Sequence, residues 1–122
     1  MSRVAIVTGG TRGIGEAISV ALKKAGYKVA AIYAGNDERA KVCADKHGIV
    51  AFKWDVSDYD QCIKGVAEVV AKLGPVDILV NNAGITRDST LKKQTRQQWD
   101  EVMDTNLGGC FNMCKAVWDG ML

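Results

Sequence analysis

The sequence predicts an α/β chain built on a doubly wound parallel sheet with helices on both faces. Three observations carry this expectation. Short apolar, β-branched runs recur along the chain, as in Val4-Ala5-Ile6-Val7, and such runs suit strands covered on both faces. Segments with helical periodicity separate them, long enough for the right-handed crossovers that parallel pairing requires. No linker, repeat or low-complexity tract interrupts the alternation, so all of 1–122 reads as a single domain.

The first strand runs through Val4–Val7. Beyond the glycines that follow it, Ile14, Ala17, Ile18, Ala21, Leu22 and Ala25 fall on one helical stripe, expected to face the core, with Gly26 as a natural stop. Lys28 to Tyr33 forms the second strand. Gly35-Asn36-Asp37 then turns the chain into a polar helix that points Ala40, Cys43 and Ala44 inward and ends at Gly48. Ile49 to Val56 is expected as the third strand. Ser57-Asp58-Tyr59-Asp60 places a capping oxygen and first-turn acids ahead of a helix carrying Cys62, Val66, Val69, Val70 and Leu73. The single proline, Pro75, precedes a fourth strand, Asp77–Val80, which runs into Asn81-Asn82-Ala83-Gly84. Thr95-Arg96-Gln97-Gln98 matches a capping box, opening a helical stretch with Trp99, Met103, Leu107, Phe111, Cys114, Trp118 and Met121. Growth outward from strand one followed by reversal gives the expected order 3-2-1-4, with a ligand crevice at the switch point beside strand one.

Composition narrows the function classes. Of the 122 residues, 48% are hydrophobic and 25% charged, enough for one core but not two, and the net charge of +2 is dispersed rather than gathered into a stripe for nucleic acid. The apolar runs are strand-sized and no signal-peptide pattern opens the chain, so neither a membrane nor secretion is expected, and a cytoplasmic location is. Cys43, Cys62, Cys110 and Cys114 lack C-x-x-C spacing, and His47 is the one imidazole available; reduced packing thiols and no metal are the expectation.

The chemistry concentrates in Thr8-Gly9-Gly10-Thr11-Arg12-Gly13-Ile14-Gly15, a glycine turn that feeds a helix N-terminus. Free backbone N–H groups and the positive end of the helix dipole favour a pyrophosphate there, and the missing Cβ atoms allow close approach. The spacing, G-x-x-x-G-x-G, departs from the commoner G-x-G-x-x-G, so strand before and helix after count as much as pattern. This context makes the sheet Rossmann-type. About 20 residues on, where NAD-binding chains place an acid for the ribose 2′-OH, stands Tyr33-Ala34-Gly35. With no carboxylate to repel a 2′-phosphate, and with Arg12 in the turn to pair with one, the expected cofactor is NADP(H); the alternative for Arg12 is a solvated surface charge.

Thr8-Gly9-x-x-x-Gly13-x-Gly15 and Asn81-Asn82-Ala83-Gly84, after successive strands, resemble the short-chain dehydrogenase/reductase family over the whole chain. The resemblance implies cofactor contacts at Thr8, Gly9, Thr11, Arg12, Gly13, Ile14, Gly15, Tyr33, Asp55, Val56, Asn82, Ala83, Gly84 and Ile85, with Asp55-Val56 against the adenine. It makes Asn106 the first member of an Asn-Ser-Tyr-Lys catalytic tetrad, positioning a helix backbone and a water, and the amide's paired donor and acceptor suit that task. Gly108 and Gly109 fit a local kink beside it. Within the family the likeness is to acetoacetyl-CoA reductases, through Gly10-Thr11-Arg12, Tyr33-Ala34-Gly35-Asn36-Asp37, Trp54-Asp55-Val56-Ser57-Asp58-Tyr59 and Ile85-Thr86-Arg87-Asp88; 3-oxoacyl-carrier-protein reductases look similar. It implies a 3-oxoacyl-CoA substrate, with Asp88 as a substrate contact or a loop cap. It also implies a homo-oligomer whose subunits meet through the last helices, at Trp99, Met103, Phe111, Cys114 and Trp118, although these residues could instead pack on the chain's own sheet.

The family's Tyr-x-x-x-Lys does not occur in 1–122: Tyr27, Tyr33 and Tyr59 are followed four positions later by Ala31, Asp37 and Ile63. The chain is therefore expected to be the cofactor-binding half of the enzyme, truncated before the catalytic Ser and Tyr-x-x-x-Lys and inactive alone. A non-catalytic nucleotide-binding or association module is the alternative.

Overall fold

The computed structural model describes residues 3–85 and 90–122. Four strands, β1 (Val4–Thr8), β2 (Lys28–Tyr33), β3 (Val50–Lys53) and β4 (Val76–Val80), form one parallel sheet in the order β3-β2-β1-β4. This is the order the sequence predicts. Every residue of β1 is buried, as a central strand between two helical layers must be. Helices α1 (Gly13–Lys24) and α2 (Asp37–His47) cover one face, where Val7, Val29, Ala31, Cys43 and Ile49 pack with Ile18 and Leu22. On the other face α3 (Tyr59–Leu73) and α5 (Gly109–Met121) close over Ile6, Ile32, Trp54, Val66, Met113 and Val117.

A register shift separates the pairs Val4↔Val76 and Ala5↔Ile78. Asp77 is the extra residue, and its Oδ2 accepts the Val4 N–H at 2.9 Å, which restores the hydrogen bond that the bulge removes from the ladder. Ile78, Leu79 and Val80 of β4 are half-buried, in contrast to the residues of β1, because no strand among the described residues pairs with its outer edge.

Three expectations about elements need correction. The third strand covers Val50–Lys53, not 49–56. Trp54 N still donates to Tyr33 O, but β2 ends there, and Asp55 N turns to the Gln61 side chain instead. In α1 the inward residues are Gly15, Ile18, Ser19 and Leu22, whereas Ile14, Ala17, Ala21 and Ala25 are exposed. Small residues carry this contact: the Ser19 hydroxyl donates to Gly10 O at 3.0 Å, and an apolar-periodicity reading passes over such positions.

The last helical stretch is broken. After the Thr95–Gln98 capping box, α4 (Arg96–Val102) runs into a π-helical turn, Met103–Gly108, and then into α5. Wider winding rotates the phase of the stripe, so Gly109, Met113 and Val117 face inward, while Trp99, Phe111 and Trp118 are 52%, 62% and 62% exposed. The apolar stripe of the sequence thus looks away from the sheet. Gly109, expected only to ease a kink, lies where a Cβ would press on the Val56 side chain at 2.6 Å, so it sets how closely α5 docks.

Candidate dinucleotide site

A cleft of about 500 Å³ opens at the carboxyl ends of the strands, beside the switch point between β1 and β4. That is where an open α/β sheet offers its crevice, and the volume is ordinary for a ligand pocket.

The glycine turn forms its floor. Gly9 (φ +66°) and Gly13 (φ +57°) both adopt left-handed backbone, which only glycine takes without strain, and both line the cleft. No described atom lies within 4 Å of where a Gly13 Cβ would stand, so that side of the turn is open to a ligand. Gly15 has a different task. A Cβ there would overlap Gly9 O and press on the Asn82 amide, so the third glycine lets helix and loop close beneath the turn. Arg12 is the residue preceding α1, exposed and without a side-chain capping bond, and it pairs with no carboxylate among the described residues.

The second wall comes from the end of β2. Tyr33, Ala34, Gly35, Asn36 and Arg39 line it, and none bears a carboxylate. Asp37, which follows this wall in sequence, lies outside the lining and is held by Lys53 at 3.1 Å. That ammonium, more than the Tyr33 hydroxyl, keeps the Asp37 carboxyl below its ordinary range, while burial first and Asp37 second push the Tyr33 phenol up. Arg39 was not foreseen from the sequence. It reaches the cleft because Asn36 caps α2 through Arg39 N at 3.0 Å, which sets the arginine in the first helical turn. A cation three residues past the turn that follows β2 was the available signal.

Trp54, Asp55 and Val56 form the third wall. Asp55 Oδ1 accepts from Ser57 N (2.9 Å) and Ser57 Oγ (2.7 Å), which stiffens the loop, and Val56 O accepts the Asn112 amide at 2.9 Å. Trp54 was also missed. Its indole lies directly on Gly65, where a Cβ would collide with the ring, so α3 sits close enough to hold the indole at the cleft.

Asn82, Ala83, Gly84 and Ile85 make the fourth wall. Thr8 governs them without entering the cleft: its buried hydroxyl accepts from Asn82 N and Ala83 N, each at 3.0 Å, and donates to Val80 O at 3.3 Å. Asn82 Nδ2 donates to Gly9 O, tying this loop to the glycine turn. Thr8, Ile14 and Gly15, expected as direct contacts, are not among the lining side chains; Thr8 and Gly15 support the turn, and Ile14 is 75% exposed at the helix start. Thr11 lines the cleft.

Asn106 sits in the π-helical turn and forms a two-way clamp, its Oδ1 accepting from Ile85 N (2.8 Å) and its Nδ2 donating to Ile85 O (3.0 Å). Both bonds run to the main chain of a single residue. Asp88 lies outside the described residues.

The residues fit a dinucleotide. Amides at a helix start, two left-handed glycines and two arginines near an acid-free wall make a cradle for anions, and a hydrophobic wall of Trp54 and Val56 suits a flat base. Among known proteins, acetoacetyl-CoA reductases from Rhizobium meliloti (strain 1021) and Paracoccus denitrificans are 66% and 60% identical over 121 residues, 99% of this chain and 50% of each relative. A 3-oxoacyl-[acyl-carrier-protein] reductase from Staphylococcus aureus (strain N315) is 42% identical over 127 aligned residues, 52% of its length. The chain therefore spans about half the length of the curated relatives it matches. A blue fluorescent protein from a metagenomic library, solved in complex with NADPH, superposes with a TM-score of 0.89 at 33% identity, covering 98% of this chain and 51% of that one. The family model described as short chain dehydrogenase matches residues 3–122, glycine turn and Asn82 loop included, and the chain belongs to that family.

Proposed function

We propose that 1–122 is an incomplete NADP(H)-binding domain of a reductase for 3-oxoacyl-CoA thioesters, with acetoacetyl-CoA reduced to 3-hydroxybutanoyl-CoA by the complete enzyme. The carrying observation is that the wall at the end of β2 bears no carboxylate and includes Arg39, while Arg12 of the glycine turn lines the same cleft. A 2′-phosphate needs that combination, since a guanidinium binds phosphate through two parallel N–H bonds and a carboxylate would repel it. The names of the relatives at 60–66% identity support the CoA thioester, and the neighbour's NADPH supports the cofactor. The carrier-protein thioester is the second reading, favoured only by relatives at 42%.

Bound NADPH supplies the hydride. The turn amides at the start of α1 hold the pyrophosphate, and Arg12 with Arg39 takes the 2′-phosphate. Asp55, Val56 and Trp54 border the adenine. Asn82 to Ile85 form the wall toward the reacting end, and Asn106 keeps Ile85 in register. Its further role in a proton relay belongs to the same proposal. Asp88 is retained as a candidate substrate contact. Reduction of a ketone also needs a proton for the developing alkoxide. No Tyr-x-x-x-Lys stands in 1–122, so the acid comes from elsewhere in the complete enzyme and this chain alone does not turn over. Subunits meet through the exposed aromatic face of α4 and α5. The compartment is the cytoplasm, where four thiols, all free here, stay reduced.

The test is a titration of the purified chain with NADPH and NADH. NADPH is expected to bind more tightly, and Arg12→Ala to weaken NADPH about 10-fold or more while leaving NADH nearly unchanged, the loss expected for one charge-assisted contact. Tighter NADH binding, or turnover of acetoacetyl-CoA by 1–122 alone, would overturn the assignment.

A further inference from the structure

Between α1 and α2, three potential ligands converge. Glu16, Cys43 and His47 each place a carboxylate oxygen, a sulfur or a ring nitrogen within 4.8 Å of the other two. Cys43 and His47 stand four positions apart on α2, so one helical turn stacks them on the same face. Glu16 reaches across from the first turn of α1, with Oε2 3.2 Å from His47 Nε2. Cys43 is buried and the other two are half-buried, and a shallow hollow lined by Glu16, Ala17, Lys24 and His47 gives solvent access.

We propose that Glu16, Cys43 and His47 bind a zinc-class divalent metal ion, cross-linking α1 to α2, with water as the fourth ligand. Thiolate, imidazole and carboxylate are all zinc ligands, and three protein groups plus water is a known open tetrahedral arrangement. Bond lengths of about 2.0–2.3 Å set ligand atoms roughly 3–4 Å apart, so the Glu16–His47 spacing already fits and Cys43 closes by side-chain rotation. Sulfur and nitrogen in the set select against calcium and magnesium. On binding, the Cys43 thiol releases its proton to solvent and the sulfur lone pair forms the metal bond; no electron changes hands. The opposing groups are cations: Arg39 lies 3.8 Å from the other Glu16 oxygen, and Lys24 and Lys46 line the hollow. They hold the affinity below that of a closed structural site. Ligand spacing along the chain does not reveal the site, because the third ligand arrives from another helix.

The experiment is titration of the purified protein with Co(II), followed by absorption. A thiolate-to-cobalt charge-transfer band with tetrahedral visible bands is expected, and Zn(II) should abolish both by displacement. Cys43→Ser should lose the charge-transfer band, and Glu16→Gln and His47→Ala should each weaken binding by more than about 10-fold, the loss that even an outer-shell change can bring. The Cys110→Ser/Cys114→Ser double variant should keep the spectrum, which separates this site from the thiols of α5. Absence of the band in millimolar Co(II), its persistence in a Cys43→Ser protein with native circular dichroism, or undiminished affinity in Glu16→Gln would refute the site. Neither readout depends on nucleotide binding.

Discussion

The Thr8 hydroxyl takes two amide hydrogens from the Asn82 loop and gives its own to Val80 O, so valine of nearly the same shape would leave two part-buried N–H groups without an acceptor. Thr8→Val is expected to destabilise the fold by about 1–3 kcal/mol, seen as a melting midpoint lower by several degrees. It should also weaken nucleotide binding, since the fourth wall of the cleft would loosen. An unchanged midpoint would mean that the loop is held elsewhere. At this scale legibility from sequence was uneven. Arg12 and the glycines carry a local signature, because a turn that needs left-handed backbone needs glycine in the sequence. Arg39 carries a weak one, its place just after the turn that follows β2, and Trp54 none: each reaches the cleft through a neighbour, Asn36 for one and Gly65 for the other.

Elements were more legible where apolar burial alone decides them. β1, β2, α2 and α3 follow from strand-sized runs, capping oxygens and periodicity. The stripe through α4 and α5 misleads, because the π-helical turn changes its phase and the turn exists to bring Asn106 against Ile85, a contact no periodicity encodes. What remains is an outward face bearing Trp99, Phe111 and Trp118, with the Lys115 ammonium 5.8 Å from the Phe111 ring centroid. Apolar surface of this kind seeks a partner. If α4 and α5 form the subunit contact, Phe111→Glu with Trp118→Glu should shift the protein toward monomer in sedimentation velocity while leaving circular dichroism unchanged. An unaltered sedimentation profile would assign the face no part in association.

Across the whole molecule, the sheet order and the crevice at its switch point followed from the alternation of strands and helices, since right-handed crossovers leave few alternatives. The same packing bears on pH. Burial pushes the Cys43 and Cys62 thiols from 9.0 up to about 11, with Glu16 adding to the rise at Cys43. A thiol raised in the folded state favours folding fully below its unfolded pKa, and that contribution fades as pH climbs through the folded value. The melting midpoint is therefore expected to fall between pH 9 and 11, less steeply in Cys62→Ala relative to its own neutral-pH midpoint. A flat profile across that window would contradict the burial of both groups.

The central claim is that a dinucleotide lies on the amide-lined turn, and amide-resolved NMR during NADPH titration tests it most directly. The account predicts the largest shift changes at Gly9, Arg12, Gly13, Ile14 and Gly15, with a second group at Asn82 to Ile85. Saturable binding that leaves those amides unmoved, or perturbs chiefly the α4 and α5 face, would contradict it.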